Sequence, residues 1–125
     1  MYSVEADKSK RLIVISAVGH VTTGEVKEAA QKVREIVKDT APGFRVLTDF
    51  RWLDSMQASA SRYVAEIMDA IAAKQVSLVA RVIPDPRKDI GLNILSQFHF
   101  GPEIQITNFE ALADAVQSLA EHSDA

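Results

Sequence analysis

The chain has 125 residues, 14 Lys and Arg against 17 Asp and Glu for a net charge of −3, and no Cys. That length fits one domain with one core, and an apolar share of 47% with 25% charged residues excludes a disordered or fibrous chain. The absence of Cys removes disulfides, thiolate metal sites and Cys nucleophiles, and the lack of a large basic block argues against nucleic acid as the main partner.

The opening "MYSVEADKSKRLIVISAVG" carries charges before and inside its first apolar run. That run is far shorter than the roughly 20 residues a membrane span needs, so the expectation is a mature, cytoplasmic protein. Tyr2 to Ala6 and Leu12 to Val18 are β-rich runs joined by "DKSK", a polar turn that makes an antiparallel hairpin. In the next segment Val26, Ala30, Val33 and Val37 recur on one helical face. Thr22 and Glu25 form a capping box in front of them, and Pro42-Gly43 stops the helix.

Phe44 to Phe50 reads as a strand buried on both faces, the kind found inside a parallel sheet. A second amphipathic helix is predicted over Ser59 to Lys74, with Ala60, Val64, Ile67, Met68 and Ile71 inward. "VSLVARVI" is a further strand, closed by "PDP", where Asp85 would cap a third helix and Pro86 would take its first position. Gly91 weakens that helix by about 1 kcal/mol relative to Ala, and Gly101-Pro102 ends it. Glu103 to Thr107 is a short strand, and Thr107 with Glu110 forms a second capping box before a last helix along Leu112, Val116 and Leu119.

The order β-β-α-β-α-β-α-β-α predicts a single-domain α/β fold with a mixed, mostly parallel five-stranded sheet, the opening hairpin supplying the antiparallel edge. In open sheets of this type ligands sit outside the carboxyl ends of the parallel strands. Sequence places there Gly19 and His20, Asp49 to Ser55, Pro84 and Asp85, and Thr107 and Asn108.

No phosphate-binding Gly loop, nucleophile elbow or paired-His zinc pattern occurs. An enzymatic alternative rests on His20 as a base oriented by Asp49 or Asp85. Asp49 stands out because an acid at the end of a buried strand needs a partner, and Arg51, Thr48 or the N–H groups of the next helix are at hand. Ser55 or Ser59 is expected to cap the second helix. Asp49, Arg51, Ser55, Ser59 and Tyr63 together make a candidate surface for a protein partner. Trp52, Met56, Leu92, Leu95 and Phe98 make a candidate apolar pocket, with the third helix as its lid.

The element order, "RVLTDFRWLD" after the first helix and the closing "IQITNFEALADAVQSL" together resemble the SpoIIAA-like family, which belongs with the STAS domains of sulfate transporters and anti-sigma-factor antagonists. The resemblance implies a non-enzymatic bacterial regulatory module without a cofactor or metal. In the family's antagonists a kinase-regulated Ser lies in an Asp-Ser-Ser-Gly-like stretch at the start of the second helix. Here the matching stretch is "LDSMQASAS", which has Asp54-Ser55 with no Gly following and makes Ser55 the candidate phosphoacceptor. The likeness of this branch to CRAL-TRIO lipid-transfer domains implies the second reading, a small lipid-like ligand under the third helix. The partners expected are accordingly a protein, a small apolar ligand, or a second copy of the chain.

Overall fold

The computed structural model describes residues 1–83, 96, 99–100 and 104–122. Strands β1 (Tyr2–Asp7) and β2 (Leu12–Val21) form the opening hairpin. Its turn is held by Asp7, whose Oδ1 accepts from the Ser9 hydroxyl and the Lys10 N–H at 2.6 and 3.2 Å. Helix α1 (Thr23–Lys38) begins at the capping box read from the sequence: Thr22 Oγ1 accepts from the Glu25 N–H at 3.2 Å, and Glu25 Oε1 accepts from the Thr22 N–H at 3.1 Å. Strand β3 (Arg45–Met56) leads through a 3-10 turn at Ala58–Ala60 into α2 (Ser61–Ala73). Strands β4 (Leu78–Val82) and β5 (Gln105–Phe109) follow, and α3 (Leu112–His122) ends the described chain.

The five strands lie in the order β1-β2-β3-β4-β5, with β1 antiparallel to β2 and every other pair parallel. The fold class expected from the alternation is therefore the one observed. Strands added one after another by right-handed crossovers put their connecting helices on one face. The register shows it: Ile13, Val46 and Val79 stand in one row across β2, β3 and β4 and pack with Val33 and Val37 of α1 and Met68 and Ile71 of α2. The next row, Val14, Leu47 and Ala80, points the other way, and Leu47 and Ala80 meet Ala115 and Leu119 of α3. Among the described residues no helix is long and apolar enough to cross a membrane.

Several boundaries differ from the sequence reading, and the differences decide where the site lies. Strand β2 runs on to Val21 and β3 to Met56, so Gly19 and His20 are strand residues, and Asp49 is mid-strand. The two strands stay paired past two register shifts, where β3 carries an extra residue relative to β2 and bulges. Helix α2 starts at Ser61, with Ala60 at its N-cap and no side-chain cap bond, so neither Ser55 nor Ser59 is the cap. Strand β5 lies two residues later than expected and contains Thr107, which removes the second capping box. In α3 the buried residues are Ala115 and Leu119, and Val116 is half exposed.

The expected third helix falls mostly outside the described residues, including Asp85, Gly91, Leu92, Leu95 and Phe98. Ser96 and Phe100 are described and buried, and the Phe100 N–H donates to the Ser96 carbonyl at 2.9 Å, a helical i to i+4 bond.

Candidate functional site

Strand β4 ends at Val82, opposite Asp49, while β2 and β3 continue together to Val21 and Met56. Beyond that row they form a two-stranded parallel ribbon at the carboxyl edge of the sheet. One side of the ribbon is anchored: Ala17, Val21, Phe50, Leu53 and Met56 pack with Val26 and Ala30 of α1 and with Tyr63. The other side carries Val18, His20, Asp49, Trp52 and Ser55, paired as Val18 with Trp52 and His20 with Ser55.

Asp49 is met by Arg51 on the same strand. The guanidinium Nε donates to Asp49 Oδ1 and Nη2 donates to Oδ2, both at 3.0 Å, and the Arg51 backbone N–H adds a third bond to Oδ1 at 3.1 Å. Burial alone would push the Asp49 carboxyl up, but these hydrogen bonds and the adjacent positive charge outweigh it and hold the group below the usual carboxylate range. The Arg51 guanidinium is pushed up by the same pair. A bidentate pair fixes both side chains, so Arg51 is locked in place before anything binds. Its guanidinium carbon lies 5.7 Å from the centre of the Trp52 ring.

Trp52 itself is 64% exposed, the most exposed large hydrophobic among the described residues after Met1. The sequence placed it in an apolar pocket. The bulge between Asp49 and Trp52 shifts its parity and turns the indole to solvent. Tyr63 departs from expectation in the opposite sense: it is buried among Ala17, Val21 and Val26, and its hydroxyl accepts from Arg62, whose guanidinium stacks on the ring 4.6 Å from its centre. Arg62 is thus the exposed residue at that point of the surface.

The two serines have partners that the spacing did not suggest. Ser55 Oγ lies 2.6 Å from His20 Nδ1 across the ribbon, and both residues are exposed. Ser59 Oγ lies 2.5 Å from Thr23 Oγ1 at the start of α1. Gln57 completes that junction, its side-chain carbonyl accepting from the Thr23 N–H at 2.7 Å while its own N–H donates to Val21 at 3.0 Å. Gln57 was missed by sequence reasoning because a single Gln between a strand and a helix carries no pattern.

The enzymatic triad is not assembled among the described residues. His20 bonds to Ser55, Asp49 is committed to Arg51, and Asp85 lies outside the described residues. No cluster of three or more His, Asp or Glu that would suit a metal converges among the described residues.

A cavity of about 70 Å³ sits between the sheet and helices α1 and α2, lined by Ile15, Val46, Phe50, Met56 and Ile67, with Thr48 and Arg81 at one side. Of the expected pocket residues Met56 lines it, Trp52 does not, and Leu92, Leu95 and Phe98 lie outside the described residues. Small-molecule sites usually have roughly 300–1,000 Å³. Arg81 is buried at 2% exposure and donates to the Ser96 hydroxyl, which ties Ser96 to the sheet.

No protein-family model and no curated protein sequence matches the chain. Solved structures do. An uncharacterized protein of the DUF3478 family from Shewanella loihica, described as having a SpoIIAA-like fold, superposes with a TM-score of 0.71 at 18% identity, over 95% of this chain and 92% of that one. The chain has a SpoIIAA-like fold. The anti-sigma factor antagonist SpoIIAA in its unphosphorylated form matches with a TM-score of 0.67 at 16% identity, over 97% of this chain and 98% of that one. SpoIIAA of Bacillus in its phosphorylated form gives 0.64 at 15% identity, over 95% and 99%. The likeness in fold thus extends over nearly all of this chain and of each of these three.

Proposed function

We propose that this chain is a non-enzymatic regulatory module of the STAS type that binds a protein partner, and that the solvent side of the β2–β3 ribbon is its binding surface. The observation that carries the reading is Trp52, exposed at 64% beside Val18 at 39% and flanked by the locked Asp49–Arg51 pair. An exposed Trp next to an ordered Arg is the composition of an interface hot spot, since both give large contact area with little side-chain entropy left to lose. Arg51 and Ser55 lie on the strand that forms this surface, while Ser59, paired with Thr23, and Arg62, stacked on Tyr63, belong to the turn and helix that follow it. The antagonist role and the two phosphorylation states of the SpoIIAA structures agree with such a module. In this reading the chain acts in the cytoplasm, which suits a sequence free of Cys.

Ser55 is the proposed acceptor if the module is phosphoregulated. Its hydroxyl is exposed and already bonded to His20, whose ring N–H could donate to a phosphate there. Affinity capture from the source cell's extract tests the surface: wild-type protein should retain a partner that Trp52→Glu loses at an unchanged melting temperature. Recovery of the same partner by both proteins would place the surface elsewhere. Phosphate mapping after incubation with the extract and ATP tests Ser55, and label on Ser59 or Ser61 instead would move the acceptor to the helix start.

A further inference from the structure

A second recessed surface lies on the opposite end of the molecule, at the amino edge of the parallel strands. It is a groove of about 540 Å³ between the hairpin turn, the first residues of β2 and β3, and the last turns of α3. Its floor is apolar, formed by Leu12 and Leu47 of the sheet and Leu119 of α3. Lys10, Arg11 and Arg45 line it as well, and among the described residues none that lines it is acidic.

Arg45 is the unusual member. Its side chain is buried, the residue being 8% exposed, yet it makes no ion pair with a carboxylate among the described residues. The guanidinium donates to main-chain carbonyls: Nη1 to Leu119 at 2.6 Å, in the last turns of α3, and Nη2 to Lys10. Carbonyl dipoles orient a guanidinium without cancelling its charge, and a buried cation without a counter-charge is costly. Arg11 is fixed beside it by a left-handed backbone, φ 52°, and by a 2.7 Å bond from Nη2 to the Pro42 carbonyl. The carboxylate next along the turn, Asp7, is occupied by Ser9 and the Lys10 N–H. The groove therefore pairs a fixed positive rim with an apolar floor, and its volume lies within the range of small-molecule sites.

We propose that this groove binds a single-chain anionic amphiphile, a medium-chain carboxylate whose head meets Lys10, Arg11 and Arg45 and whose alkyl chain lies along Leu12, Leu47 and Leu119. The charge pattern selects the anion, and the floor selects the chain. This site shares no residue with the ribbon, so it stands or falls apart from the partner-binding reading.

The test is an NMR titration of the ¹⁵N-labelled protein with dodecanoate below its micelle concentration, with decanoate and dodecan-1-ol as comparisons. Dodecanoate should give saturable shifts at Leu12, Val116 and Ala120, and decanoate should bind roughly ten-fold more weakly, as two fewer buried methylenes require. Dodecan-1-ol should bind at least ten-fold more weakly than dodecanoate. Lys10→Glu and Val116→Asp, both at exposed positions on the groove wall, should each weaken dodecanoate at least five-fold without changing the melting temperature, whereas Trp52→Glu should leave it unchanged. Equal binding of the alcohol, or shifts confined to the ribbon or to the cavity under α2, would overturn the proposal. So would co-sedimentation with phosphatidylglycerol vesicles in the absence of any response to free dodecanoate, which would make the rim a membrane-facing patch.

Discussion

Asp49 shows how much a single residue can disclose and where its neighbours mislead. A carboxylate following a buried apolar run demands a donor, and Arg51 two positions on is the donor found. The indole beside it was misplaced because alternation along a strand fixes side-chain direction only while no bulge intervenes, and a bulge leaves no mark in this sequence. Ser59 was misassigned for a related reason: the cap reading assumed that the strand ended near Phe50, and the strand continues to Met56.

Two expectations belong at this scale. Asp49→Asn should destabilise the fold by on the order of 1 kcal/mol at neutral pH, a value reduced by solvent around Arg51. Because the folded-state carboxyl titrates below its unfolded value, the wild-type advantage is complete above about pH 4 and vanishes as pH falls through the lower, folded value. Denaturation curves of the two proteins between neutral and strongly acidic pH should therefore converge at the acid end. A constant gap would mean that Asp49 acts through something other than its charge. Ser59→Ala should cost less than the roughly 1 kcal/mol of a lost helix cap, since it removes one exposed hydroxyl pair with Thr23 and no capping bond.

At the scale of elements, α1 was the most legible because its start carries local chemistry, whereas the caps read for α2 and α3 were not those found. The Thr22 and Glu25 capping box reads directly from four residues, and the inward face of α1 follows from its spacing. Thr22→Ala should lower stability by about 1 kcal/mol in urea unfolding, and a change near zero would mean the box is idle. Strand ends are set by partners far away in sequence, so β2, β3 and β5 were each misjudged by two residues or more. Gly43 records one such distant constraint. Its φ is 87°, and a Cβ there would approach the Arg11 guanidinium to 2.5 Å. Gly43→Ala should cost about 1 kcal/mol or more from the left-handed backbone, and it should displace Arg11. An Arg11 resonance unmoved in that variant would contradict the close approach.

For the whole molecule, alternation of strands and helices after a hairpin was enough to give the mixed sheet, because crossover handedness leaves few other arrangements. It also pointed to the carboxyl edge, where the ribbon is found. The amino-edge groove was not legible, since Lys10, Arg11, Arg45 and Leu119 come together only through the pairing of β2 with β3 and the return of α3. The same geometry separates two surfaces with different chemistry, an aromatic and hydrogen-bonding ribbon at one end and a basic, apolar groove at the other. Substitutions at one should leave the other's binding intact.

The central claim is that a protein partner docks on the ribbon. Because the chain lacks Cys, a single photo-crosslinker can be attached at Asp54→Cys, an exposed β3 position that leaves Trp52 in place, and, as a control, at Glu35→Cys on the solvent side of α1. Illumination in cell extract, followed by mass spectrometry of the adducts, should yield one protein from position 54 that is absent from position 35 and is displaced by unlabelled wild type but not by Trp52→Glu. The same adducts from both positions, or a position-54 adduct that wild type cannot displace, would contradict the account.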